Sequence, residues 1–143
     1  SLYTSLLPNL LVPELVGAIK RSKAPRLYIC NLMTQPGETD GLDVRGHIRA
    51  IEAQLATLGI EPRLFTAVLA QDDLPESDLV RYYQSRGADP VRCDAEGLRS
   101  DGYDITQAPL QGVRPTATLR HDSRSLALAV MRFYRTHRRE RDQ

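Results

Sequence analysis

The densest concentration of chemically useful side chains lies at positions 31–41, Asn-Leu-Met-Thr-Gln-Pro-Gly-Glu-Thr-Asp-Gly. Glu38 and Asp40 are two positions apart, so extended backbone would turn both carboxylates the same way. Such a pair can hold Mg²⁺, which usually takes one or two carboxylates plus substrate phosphates. It can equally accept hydrogen bonds from ribose or sugar hydroxyls. Asn31, Thr34 and Gln35 add neutral donors and acceptors suited to polyhydroxylated or nucleotide ligands. The plain alternative is a solvated surface loop rich in turn formers.

Two further groups fit the same chemistry. Arg120 stands just ahead of an expected helix start at Asp122-Ser123, and a forked cation beside free backbone N–H groups suits a phosphate. An ordinary surface salt bridge would use the same residue. Ser1, Tyr3, Thr4 and Ser5 precede the apolar run Leu6-Leu7, where hydroxyls either cap a helix or meet an anion at its start. No nucleophile-and-base set is visible: G-x-S-x-G is absent, and so are G-x-G-x-x-G and G-x-x-x-x-G-K-[ST]. Cys30 and Cys93 lack any metal spacing, and Cys30 reads as a small core hydrophobe.

The elements that must position these groups alternate. Pro13 and Glu14 open a helix whose apolar face is Leu15, Val16 and Ile19 and whose end collects Lys20, Arg21 and Lys23. Residues 26–30 form a strand running into the 31–41 loop. Eleven residues is long for a strand-to-helix connection, where about 2–6 suffice. Asp43 caps the next helix, which carries Val44, Ile48, Ile51, Leu55 and Leu58 at steps of four, three, four and three and stops at Gly59. His47 on that helix has no partner at ligand spacing and reads as structural.

Residues 64–69 form a near-continuous apolar strand, as expected when both faces are covered. A helix then starts at Pro75 with Asp73 as its cap and ends at Gly87, leaving Asp72 as an acid with no structural duty. Residues 90–93 and 103–105 read as short strands and 114–119 as turn-like, then extended. The last helix, capped by Asp122, presents Ala127, Val130, Phe133 and Tyr134, and residues 137–143 form a polar, frayed tail. This alternation predicts a parallel sheet covered by helices, with the polar segments at 31–41, 70–73 and 116–122 gathered at its carboxyl edge, where such sheets bind ligands.

The 143 residues suit one domain, and net charge of +1 gives no field favouring nucleic acid or membrane. No run of about 18 apolar residues and no signal peptide is present, which points to a cytoplasmic protein without membrane insertion. The chain opens on Ser rather than Met, as a piece of a larger protein would.

The segments SLYTSLLPNLLVP, YICNLMTQPGETDG and LRHDS resemble the carboxyl-terminal half of the gluconeogenesis factors, the YvcK-like branch of the CofD-like superfamily. The resemblance implies a three-layer α/β/α Rossmann-like fold with a parallel sheet, of which residues 1–143 are the carboxyl-terminal part of one domain. It implies a UDP-sugar ligand, notably UDP-N-acetylglucosamine, and a role in growth on gluconeogenic carbon and in cell-wall integrity and shape. The sister branch comprises Mg²⁺-dependent 2-phospho-L-lactate transferases, so phospho-transfer with Asp40 or Glu38 as metal ligand is the alternative activity. A structural half-domain without its own ligand is the third reading. Carried over position by position, the family's Arg-His-Asp falls on Arg120, His121 and Asp122, with Arg120 as the pyrophosphate candidate. The expected ligand-binding set is Tyr3, Thr4, Ser5, Asn31, Thr34, Gln35, Gly37, Glu38, Thr39, Asp40, Arg120 and His121. Nucleic acid is not an expected partner, and a homodimer is compatible with the sequence.

Overall fold

Ala67–Gln71, the strand β2, is buried at every one of its five positions, which requires covering layers on both faces. A computed structural model supplies them. It describes residues 1–61, 63–72, 77–112 and 119–141, the side chains of 138–141 excepted. β2 is the middle of a three-stranded, all-parallel sheet between β1 (Leu27–Ile29) and β3 (Asp104–Ala108). The register sets Tyr28 beside Val68 and Val68 beside Ile105.

Those three side chains, with Cys30 and Ala70, face one layer. It consists of α3 (Val44–Thr57), the amino-terminal helices and α5 (Ala95–Ser100). Leu69 and the partly buried Leu27, Ile29 and Ala108 face the other layer, which holds Tyr83 of α4 (Asp78–Gln84) and Leu126, Ala129 and Val130 of α6 (Ser123–Arg141). The architecture is a partial three-layer, Rossmann-like α/β fold.

The amino terminus is helical from the start. A π-helical turn, Leu2–Leu6, capped by Ser1, runs into α1 (Leu7–Leu10), and α2 (Pro13–Arg21) follows. Pro13 sits in the first turn of α2 with Glu14, and Lys20 and Arg21 in its last turn, as their charges predict. Only Val16 of the expected face is fully buried, however; Leu15 is exposed. No single helix among the described residues is long and apolar enough to cross a membrane.

α3 forms where its periodicity places it. Asp43 Oδ1 accepts from Gly46 N–H at 2.6 Å, Val44, Ile48, Ile51 and Leu55 are buried, and Gly59 takes φ +67° to end the helix. Leu58 lies beyond the last turn and is exposed. His47 is fully buried, with Nδ1 2.8 Å from the Asp43 carbonyl, a structural position. Cys30 is buried too, and burial pushes its thiol up to about 12, which leaves it protonated at neutral pH.

Several expectations are corrected. β2 begins at Ala67 rather than 64, because pairing with both neighbours spans only 67–71. Residues 90–93 form no strand: Pro90 makes one antiparallel bridge to Met33, and a proline ring has no N–H to extend a ladder. α4 is capped by Ser77, whose Oγ accepts from Val80 N–H; Asp73 and Pro75 lie outside the described residues, as do 113–118. On α6 the buried face is Ala129 and Phe133 with Leu126 and Val130 partly covered, while Tyr134 is exposed. The expected tail from 137 is helical as far as Arg141, and 142–143 lie outside the described residues.

Candidate functional site

The 31–41 loop leaves the carboxyl end of β1 and is held by its own side chains. Thr39 Oγ1 accepts from Gln35 N–H at 2.8 Å, and the Thr39 N–H donates to the Gln35 carbonyl at 2.9 Å. Asp40 Oδ2 accepts from Gly37 N–H at 2.7 Å. Gly37 and Gly41 take φ +79° and +68°, conformations that favour glycine and let the chain reverse twice within five residues. The loop is a built structure rather than an open tether.

Its far side is fastened to residues 89–92. Thr34 N–H donates to the Asp89 carbonyl at 2.7 Å and Thr34 Oγ1 accepts from Asp89 N–H at 2.8 Å, while Val91 N–H donates to the Leu32 carbonyl at 3.0 Å. Thr34 and Thr39, expected to meet a ligand, are buried and spend their hydroxyls on the loop's own geometry. Asn31, Gln35 and Glu38 are half-buried at the surface, and Gly37 and Asp40 are exposed. Gln35 Oε1 is a buried amide atom with no hydrogen-bond partner among the described residues.

The amino-terminal hydroxyls come to this loop through one bond. Ser1 Oγ donates to Glu38 Oε2 at 2.7 Å and accepts from Thr4 N–H at 3.2 Å. Tyr3, Thr4 and Ser5 are exposed beside it. Ser1, Leu2 and Leu6 also line a cavity of about 300 Å³ with residues of β1, Asn31 and Phe65.

The third group arrives from the start of α6. His121 Nε2 donates to the Cys30 carbonyl at 3.1 Å, which fixes His121 against the end of β1 and brings Arg120, its neighbour in the chain, to the same end. Burial lowers the His121 pKa and so favours the neutral ring, and the Cys30 carbonyl, an acceptor, selects the tautomer with the proton on Nε2. Asp122 caps the helix through Ser125 N–H at 2.8 Å, and its own N–H donates to the Leu110 carbonyl at 2.7 Å. A carboxylate thus already sits at this helix start. The charge on offer to a phosphate is the exposed Arg120 guanidinium, which has no hydrogen bond or ion pair among the described residues.

The fold therefore brings all three groups to one end of the sheet, around Cys30 and Asn31. For a metal the fit is incomplete. Glu38 and Asp40 each already accept a hydrogen bond, and no cluster of three or more His, Cys, Asp or Glu suited to a metal exists among the described residues. A substrate phosphate would have to complete any Mg²⁺ shell.

A family model described as 2-phospho-L-lactate transferase CofD matches residues 1–111. The chain belongs to the CofD family. Within that family its curated relatives are named gluconeogenesis factors. It is 42% identical over 134 residues to a putative gluconeogenesis factor of Nostoc sp., covering 94% of this chain and 28% of the relative. It is 34% identical over 127 residues to the gluconeogenesis factor of Bacillus subtilis, covering 89% of this chain and 38% of that one. A crystal structure of a UPF0052 family member from Bacillus halodurans superimposes with a TM-score of 0.77 at 36% identity, covering 92% of this chain and 40% of that chain. The chain spans well under half the length of these relatives.

One part of this CofD-family edge lies beyond the expected set. Gln71, Asp72 and Gln107, at the ends of β2 and β3, line a cavity of about 490 Å³ with Pro90, Val91, Arg92 and Cys93. Asp72 stands out in the sequence as an acid without a structural duty. Arg92 and Gln107 carry no such signal, because nothing local shows that a crossover will fold residues 90–93 over the strand ends.

Proposed function

We propose that the protein is a non-catalytic UDP-sugar-binding regulator, with UDP-N-acetylglucosamine as the preferred ligand, acting in growth on gluconeogenic carbon and in cell-wall integrity. The observation that carries this reading is the His121–Cys30 contact: it brings the neighbouring Arg120, an exposed forked cation without a partner among the described residues, to the end of β1 from which the self-locked polar loop leaves. Arg120 takes the pyrophosphate, where bidentate contacts to oxygen are strongest. Gln35, Glu38 and Asp40 take sugar or ribose hydroxyls. The gluconeogenesis-factor names of the relatives support the part that concerns gluconeogenic carbon.

The test is a thermal-shift panel of UDP-sugars on the full-length protein. At 100 times its dissociation constant a ligand adds about 2.7 kcal/mol of stability, a displacement of several degrees. UDP-N-acetylglucosamine should give the largest shift; a panel without any shift would sink the reading.

A second reading is phospho-transfer, favoured by the transferase description of the matching family model. Asp40 or Glu38 would then hold Mg²⁺ together with substrate phosphate. Turnover that vanishes on chelation and in Asp40→Asn would establish it.

A further inference from the structure

The cavity over the ends of β2 and β3 holds a cation and a carboxylate that do not pair. Arg92 is exposed and its guanidinium has no partner among the described residues, although Asp72 lines the same space. Both backbones are fixed. Val91 N–H donates to the Leu32 carbonyl at 3.0 Å and the Arg92 carbonyl accepts from Val44 N–H at 3.0 Å, which holds Arg92 between the β1 exit and the start of α3. Across the gap, Asp72 N–H donates to the Ala108 carbonyl at 3.1 Å, and Asp72 Oδ1 accepts from Gln71 Nε2 at 2.7 Å.

Gln71 is itself 5% exposed and rigid. Its Oε1 accepts from both Leu110 and Gln111 N–H, at 2.7 and 2.8 Å. The two charges are carried on different elements that line the same cavity, and no ion pair joins them. The space between them, about 490 Å³, is in the range of small-molecule sites.

We propose that this cavity is a second ligand site, separate from Arg120, for a small hydroxylated anion. Arg92 takes the phosphate or carboxylate in its fork. Asp72 and the exposed Gln107 amide on the other wall take the hydroxyls. The Asp72 charge repels a second anionic end, so it sets the orientation of the ligand and disfavours simple anions. Cys93, also on the wall, is held protonated by burial and contributes no charge. The site stands without the UDP-sugar reading, since it uses none of the Arg120 group.

The test is calorimetric titration of the full-length protein with four probes: glycerol 3-phosphate, D-glycerate, glycerol and inorganic phosphate. The expected result is binding of at least one hydroxylated anion, at least tenfold tighter than glycerol or phosphate. The tighter of the two identifies the anion as phosphate or carboxylate. Arg92→Gln should weaken that binding at least tenfold, and Arg120→Ala should leave it unchanged. Asp72→Asn should weaken the hydroxylated anion while improving inorganic phosphate, an inversion that mere unfolding cannot produce. No binding by either hydroxylated anion, equal affinity in Arg92→Gln, or loss in Arg120→Ala instead would overturn the proposal.

Discussion

At the residue scale, the Thr-Gln-Pro-Gly-Glu-Thr-Asp string divides into side chains that build the loop and side chains left for a ligand. Thr39 belongs to the first kind: it is 1% exposed and supplies the acceptor for Gln35 N–H. Thr39→Val removes that acceptor at nearly constant volume and leaves a half-buried donor unpaired, a cost of about 1–3 kcal/mol. Chemical denaturation should show that loss, with Thr39→Ser recovering most of it; an unchanged midpoint in Thr39→Val would refute the assignment.

His121 supplies the pH dependence. Its folded pKa lies below the ordinary 6.5 because burial disfavours the charged ring, so the unfolded chain binds the proton more readily. Its contribution to stability is fully present above pH 6.5 and is lost as pH falls through the lowered value. The melting temperature should fall on acidification below pH 6.5. His121→Gln, which keeps a donor for the Cys30 carbonyl, should flatten that slope. Parallel slopes in the two proteins would contradict this.

At the element scale, α3 was the most legible feature because everything that defines it is local. Its cap, its stripe and its terminating glycine all lie within one stretch of the chain, and only Leu58 falls outside the expected turn count. Asp43→Ala should cost about 1 kcal/mol through loss of the Gly46 N–H bond, measurable as a lower thermal midpoint, and Asp43→Asn should restore most of it. Equal stability of the Ala variant would show that the cap contributes nothing.

Strand limits were less legible, since β2 is defined by partners far along the chain rather than by its own apolar run. The segment 90–93 shows the same limit. Val91 and Cys93 look like strand residues, yet Pro90 and the fastening of this stretch to Leu32 and Thr34 make it a brace for the loop. Likewise, α6 turns Phe133 inward and Tyr134 outward, a phase its sequence alone leaves open because apolar residues occur on both sides.

At the scale of the whole molecule, a parallel sheet puts the ends of β1, β2 and β3 on one edge. The first exit carries the 31–41 loop with Arg120 and His121, and the other two carry the Arg92 cavity. The polar character of that edge was legible from the strand–loop–helix order. The pairing of the loop with Arg120 was legible only as a shared sheet edge: the contact that makes it, between Cys30 and His121, joins positions 91 apart and leaves no local signal. Since the chain covers 28–38% of the relatives' length, binding has to be measured on the full-length protein.

The most direct measurement is calorimetric titration of UDP-N-acetylglucosamine into that protein and into its Arg120→Ala variant. Loss of a charged contact to pyrophosphate should weaken binding about tenfold to hundredfold, equivalent to about 1.5–3 kcal/mol, with the fold intact because Arg120 has no partner to lose among the described residues. Equal affinity in the two proteins would contradict the role of Arg120.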